Sequence, residues 1–231
     1  MTPLSRAVRP RTRAGRLAAL DAWLVHEVPE LLDGRGCVVD VGFGLTPVTT
    51  EELARALPGV RVVGVERHAA SSGAVELMVG GFETVAALAP VAVVRAMNVL
   101  RGYREEEVEP ARALLAQGLV PDGLLVEGSS DTEGHVLVAH LRRAGRRALL
   151  FHTDFTRGFS PWLFRDWLPR ELRRRVTPGT ALFQLFSGWE ARAKAAAVDS
   201  ARKRFLASLA APLLASDWER ENGFARWPLP E

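Results

Sequence analysis

The sequence predicts an α/β fold: a mostly parallel sheet with helices on both faces and a helical C-terminal part. Three observations predict it. Short, valine-rich apolar runs recur along the first half of the chain, bounded by glycine, proline or charge. Segments of helical period lie between them, and strands alternating with helices make parallel βαβ units. The length of 231 residues, with 48% hydrophobic and 25% charged residues, is that of one large domain with a real core.

Residues 1–12, MTPLSRAVRPRT, have two prolines and no period, and are expected to form a flexible basic arm. From Arg13, Leu17, Leu20, Trp23, Leu24, Val28, Leu31 and Leu32 recur at helical spacing, with Pro29 bending the helix and Gly34 and Gly36 ending it. CVVDV at 37–41 reads as a buried strand. In GFGLTPVTTEELARAL, Thr46 can cap a helix that has Pro47 at its first position, or Thr49 and Glu52 can form a capping box. Pro58 and Gly59 stop that helix. VRVVGVE at 60–66 is a second strand, 67–74 a loop or a brief helix, VELMV at 75–79 a third strand and VAVVRAM at 91–97 a fourth. A charged helix spans about Glu105–Gln117 around Pro110. LVPDG then turns into a fifth strand at 124–128. His135–Ala144 reads as a helix, Ala148–Phe155 as a sixth strand, and FSPWLFRDWLP as a short helix. Helical patterns follow at about 180–198 and 200–215, then a docked tail, with no clear seventh strand.

Charge is uneven although the net is only +3. Residues 1–16 carry five arginines and no acid. Residues 17–141 carry 8 basic and 18 acidic residues, and residues 142–175 carry 10 arginines against three acids. Only two of the 30 basic residues are lysine, a bias that codon usage explains as well as nucleic-acid binding does. The single cysteine, Cys37, excludes an intramolecular disulfide and a cysteine-built zinc site, and fits a reducing, cytoplasmic setting. No apolar run approaches membrane-spanning length, and no secretory signal pattern is seen at the N-terminus.

The sharpest chemical signal is Val38-Val39-Asp40-Val41-Gly42-Phe43-Gly44, at a strand-to-helix turn. Gly42 and Gly44 let the backbone turn sharply and let a ligand come close. The following helix aims its free N–H groups and positive dipole end at the same spot. Glu66 ends the next strand, 22 residues after Gly44, where a carboxylate can accept both hydroxyls of a ribose. A dinucleotide fingerprint wants a third glycine where Pro47 stands. Asp40 suits a cationic amino-acid moiety better than a pyrophosphate, which argues for S-adenosylmethionine (SAM).

On these residues the chain resembles the class I SAM-dependent methyltransferases, a Rossmann-like family. Asp40-Val41-Gly42-Phe43-Gly44 matches their first motif and Glu66 their ribose acid. Met97-Asn98-Val99-Leu100 is similar to the loop after the fourth strand, beside the methionine part of the cofactor. Leu119-Val120-Pro121-Asp122-Gly123-Leu124-Leu125-Val126 is similar to the turn and fifth strand. The resemblance covers about residues 36–128, the cofactor half of a single domain at 13–231, and leaves 129–231 as the acceptor side. It implies SAM as cofactor, with Asp40, Gly42, Phe43, Gly44, Glu66, Arg67, Phe82, Asn98 and Val99 as binding residues. The third motif departs from the pattern: Val79-Gly80-Gly81-Phe82-Glu83 has glycine where an adenine-binding acid is usual, leaving Phe82 or Glu83 for that role.

Methyl transfer from a sulfonium is an in-line displacement, so a general base is needed only when the acceptor holds its proton tightly. Candidates near the carboxyl ends of the strands are His152 with Asp154, which share a strand face, and Tyr103. Asn98, Arg101, Glu127, Ser129 and Asp131 are expected at the same end. His135 and His140, on the expected helix, have no matching ligand set, so no metal is proposed. Phe151, Phe155, Phe159, Trp162, Phe164 and Trp167 read mostly as core, with an apolar wall over the acceptor as the functional alternative. The reading favoured is methylation of a small-molecule acceptor with an anionic part, without a membrane partner. The alternatives are an RNA methyltransferase using the arm and residues 142–175, and a SAM-binding protein without catalysis. An Asp or Asn followed by Pro-Pro-Tyr or Pro-Pro-Phe marks base-amino methylation in this family. Asn98-Val99-Leu100-Arg101 stands there instead.

Overall fold

The five apolar runs of the first half form parallel strands, joined by short helices. The computed structural model describes residues 12–28 and 36–229. Residues 1–11 of the expected arm, and Pro29, Leu31, Leu32 and Gly34 of the expected first helix, lie outside the described residues. The first half comprises α1 (Ala18–Glu27), β1 (Cys37–Val41), α2 (Val48–Ala56), β2 (Val62–Glu66), β3 (Glu76–Val79), α3 (Thr84–Ala87), β4 (Val91–Met97), α4 (Glu105–Ala116) and β5 (Leu119–Ser130). The second half adds β6 (Val136–Arg143), β7 (Arg146–Thr153), α5 (Arg170–Arg173), α6 (Ala181–Ala195), α7 (Ala201–Ser208), α8 (Asp217–Glu221) and β8 (Phe224–Pro228). One sheet runs through both halves in the order β3-β2-β1-β4-β5-β6-β7-β8. The pairings from β3 to β5 are parallel, and those from β5 to β8 antiparallel.

Successive strand residues face opposite sides, so each buried strand feeds two cores. Val38, Val62 and Val93 join Leu20, Leu24, Leu53 and Leu57 of α1 and α2 on one face. Val39, Val63 and Val94 join Val85, Val108 and Leu115 of α3 and α4 on the other. Each fully buried leucine contributes roughly 1.5–3 kcal/mol. The expected LVPDG turn is a bulge inside a longer β5: Val91 pairs with Leu119, and Val93 with Leu124.

The second half corrects the sequence reading in two places. Residues 136–143, expected as a helix, are β6. Val136, Val138, Leu137, Ala139 and Leu141 are buried on both faces of the sheet, and a run that is apolar at nearly every position carries no period to separate strand from helix. Ala144 and Gly145 close the hairpin with φ of +48° and +77°, the pattern of a two-residue mirror-image turn. Alanine is unusual there, so the turn signal is weak. The expected tail becomes α8, with a capping box from Ser216 and Glu219, followed by β8 on the open edge of β7. The C-terminal part is therefore mixed. The aromatic stretch is mostly core, as expected: Phe151, Phe159 and Phe164 pack with Phe186, Trp189 and Phe205.

The hairpin also divides the basic segment 142–175. Arg142, Arg143, Arg146 and Arg147 sit at the β6–β7 turn, while Ser130 and Val136 mark the other end of these strands. An eight-residue strand separates them by roughly 25 Å.

Two buried histidines make stability depend on pH. His140, near Arg112, Arg142 and Arg147, is held at about 2, first by burial and then by those charges. His152, packed against Phe224 with ring centroids 4.3 Å apart, is held at about 4 by burial, partly opposed by Asp154. Both lie below the value of 6.5 in an unfolded chain, which binds more protons there than the folded state does. Their stabilisation is complete above that pH and is lost as pH falls towards 4, at up to about 1.4 kcal/mol per pH unit for each. Asp21, raised from 3.8 to about 6, and Glu127, raised from 4.5, both by burial, work the other way. The histidines' share is expected as a fall in melting temperature between pH 7 and pH 5. His140→Leu is expected to flatten that slope. A melting temperature that does not change with pH in both proteins would contradict this.

Candidate functional site

A cavity of about 430 Å³ opens at the carboxyl ends of β1 and β4, where the strand order reverses. This is where open α/β sheets bind ligands, and the volume is in the range of small-molecule sites. The glycine turn forms one wall. Gly42 and Gly44 have φ of +79° and +85°, which residues with a Cβ rarely adopt. A Cβ on Gly42 would come within 2.5 Å of Val99 Cγ2, so glycine also lets the loop after β4 pack against the turn. The turn leads into α2, whose N-cap is Pro47 and which has no side-chain cap.

Beneath the turn lies a buried charge cluster. Arg95, at the centre of β4, donates from Nε and Nη2 to the two oxygens of Asp40, each at 2.9 Å. It also donates to Asp21 and to the Thr49 carbonyl, the latter at 2.8 Å. Thr50 donates its hydroxyl to Asp40 Oδ2 at 2.7 Å. Two carboxylates against one guanidinium leave a net charge of about −1 when both are ionised. Asp40 lines the cavity floor with its acceptor sites turned to Arg95 and Thr50, so it acts on the cavity mainly through its field.

Glu66 is buried at the end of β2. Its Oε2 accepts from Gly44 N–H at 2.9 Å and its Oε1 from Arg67 N–H at 2.8 Å. It braces the turn from the side of the cavity. Phe43 covers Gly64 of β2 and has its ring 6.4 Å from that of His68. Asn98, at φ +62°, accepts from Ser130 N–H at 3.0 Å and fixes the end of β5 to the loop after β4. Phe82 packs against Tyr103 with ring centroids 5.6 Å apart, and Arg67 reaches the Tyr103 hydroxyl at 3.5 Å. Of the residues the resemblance implies, Asp40, Gly42, Phe43, Gly44 and Asn98 line the cavity. Glu66, Arg67, Phe82 and Val99 are not among its lining residues.

The opposite wall is cationic and aromatic. Arg16 anchors the N-terminal segment over the site by donating to Ser130 Oγ and to the Asp131 and Ser130 carbonyls at 2.9–3.1 Å. Thr12 donates to the Phe43 carbonyl at 3.0 Å. Arg101 lies 4.6 Å over the centre of the Trp167 ring, a cation–π contact. Burial lowers the pKa of both arginines. Asp131 opposes this at Arg16 while Arg101 adds to it, and Arg173 adds to it at Arg101 while Asp166 opposes it. Two partly desolvated cations at one mouth favour an anion.

The geometry does not join His152 and Asp154 as base and orienter. His152 faces Phe224, whereas Asp154 pairs with His135 at 2.7 Å. Asp131 is buried and pairs with Arg157 at 2.9 Å. Glu127 pairs with Arg112 at 2.6 Å. Among the described residues, no group of His, Cys, Asp and Glu is arranged to hold a metal ion.

Arg16 and Arg95 escaped the sequence reading as site residues, and Trp167 entered it only as part of a possible apolar wall. Arg95 left a signal: a charge in the middle of VAVVRAM demands buried partners, and Asp21 falls on the apolar stripe of α1 between Leu17 and Leu24. Arg16 left none, because long-range packing alone brings it to the cavity.

No family model matches the chain, and no curated relative does. Solved structures are similar at low identity. The MycE methyltransferase from the mycinamycin biosynthetic pathway, in complex with Mg and S-adenosylhomocysteine (SAH), is 15% identical over 52% of this chain and 36% of its own, with a TM-score of 0.35. Magnesium protoporphyrin IX methyltransferase from Synechocystis PCC 6803 with bound SAM is 20% identical over 53% of this chain and 68% of its own, with a TM-score of 0.38. A SAM-dependent methyltransferase from Archaeoglobus fulgidus is 16% identical over 49% of this chain and 52% of its own, with a TM-score of 0.37. The chain thus matches only about a third of the length of the first of these and about half of the last.

Proposed function

We propose that the protein binds SAM in the 430 Å³ cavity and transfers its methyl group to a small-molecule acceptor. The observation that carries this reading is the cavity's position at the β1–β4 switch point, directly over the Gly42–Gly44 turn and the net-negative Asp40–Arg95–Asp21 cluster. The residues present fit the cofactor. The negative cluster complements a sulfonium and an ammonium, and Arg16 complements a carboxylate. Glu66 stands at the ribose position, and each of its oxygens can accept more than one hydrogen bond. When bound, SAM supplies an electrophilic methyl carbon and its own leaving group. The chain's residues then hold the acceptor in line with that carbon and exclude water, with Trp167, Leu17 and Met97 as apolar walls.

The RNA alternative draws less support, because the four hairpin arginines stand at the far end of the sheet from the cavity. Glu66→Ala tests the cofactor role. Loss of hydrogen bonds to a charged acceptor is expected to weaken SAH binding roughly ten- to a hundredfold in calorimetry. Unchanged affinity would remove Glu66 from the site.

A further inference from the structure

We infer that the acceptor is a carboxylic acid, methylated on its carboxylate oxygen and anchored by Arg101. This rests on the methyl-transfer reading and names its substrate class.

Two observations combine. The first is the lack of a base. Among the described cavity-lining residues the only acid is Asp40, and there is no histidine, tyrosine, cysteine or glutamate. Asp40 already accepts from Arg95 Nε, Arg95 Nη2 and Thr50 Oγ1. Residues 1–11, which precede the segment crossing the cavity, contain no Asp, Glu, His, Cys, Tyr or Lys. The second is the charge of the opposite wall, where Arg16 and Arg101 share the mouth and the Arg101 guanidinium lies over the Trp167 ring at 4.6 Å.

An unassisted acceptor must already carry its lone pair free at neutral pH. A phenol, with a pKa of about 10, is only about one part in a thousand ionised at pH 7. An alkylamine is protonated, and Arg101 repels it. A carboxylate is fully ionised, and its planar pair of oxygens matches a guanidinium. Arg101 holds one oxygen, and the other donates a lone pair to the methyl carbon. The carbon–sulfur bond breaks with its electron pair moving to sulfur. The products are a neutral methyl ester and SAH, and no proton moves. The ester has lost the charge that Arg101 binds, which favours its release.

The test uses the full chain saturated with SAH and two probes, benzoate and indole-3-acetate, each against its amide and methyl ester in calorimetry. At least one acid is expected to bind roughly ten- to a hundredfold more tightly than its amide and ester. R101Q, saturated with SAH, is expected to lose that preference. With methyl-labelled SAM, the label transferred to the acid is expected to leave as methanol in mild alkali. Equal binding of acid and amide, a preference that survives R101Q, or an alkali-stable label would each overturn the inference. Failure of the unsubstituted chain to bind SAH would strike the methyl-transfer reading itself. Bound SAH without an Arg101-dependent acid preference strikes this inference alone.

Discussion

Arg95→Met is expected to destabilise the protein by about 3–5 kcal/mol, a large part of a typical domain's stability. Arg95 is fully buried, and both Asp40 and Asp21 depend on it for their counter-charge. Methionine fills much of the space but leaves two buried carboxylates facing each other. The cost comes from those orphaned charges, so removing them should recover it. The triple variant Arg95→Met, Asp21→Leu, Asp40→Val is expected to regain most of the loss, because well-packed apolar side chains often replace a buried ion cluster without penalty. Urea unfolding measures both. A single Arg95→Met variant within about 1 kcal/mol of the parent would show that the cluster does not carry this part of the core.

Gly44→Val is expected to cut SAH affinity by at least about tenfold, equivalent to 1.4 kcal/mol. Gly44 sits at φ +85°, and a Cβ there would come within 2.9 Å of Thr12 Oγ1. A β-branched residue in that conformation costs at least 1–2 kcal/mol of strain by a rough estimate. The loop relieves strain by moving, which breaks the Gly44 N–H bond to Glu66 and shifts the cavity wall. Calorimetry with SAH reads the binding, and thermal melting checks that the fold survives. A folded variant with parental affinity would place the cofactor elsewhere.

The sheet from β1 to β5 was legible because each strand is a short valine-rich run between turn residues, as in Val38–Val41 and Val62–Val65. The glycine turn was legible because Gly42 and Gly44 meet a local backbone demand. The second half hid its strands for a local reason too. Val136–Leu141 is buried on both sides, and Ala144-Gly145 is a weak hairpin signal beside Asn-Gly or Asp-Gly. The candidate site was half legible. Asp40 lines the cavity and Glu66 braces the glycine turn, but the arginine that occupies Asp40 is 55 residues away in sequence. Arg16 and Trp167 meet only through packing of the N-terminal segment and the turn at Pro161–Trp167 around one cavity. Pattern within a strand or helix does not encode such meetings. The uneven charge sharpened likewise once folded, since the arginines of 142–147 and those nearer the cavity lie at different ends of the sheet.

A crystal structure of the full chain with SAH tests the central claim most directly. SAH is expected in the cavity over Gly42–Gly44, its ribose hydroxyls at Glu66 and its sulfur facing the wall of Arg101 and Trp167. SAH bound at another place, or a cavity that stays empty at saturating SAH, would contradict it.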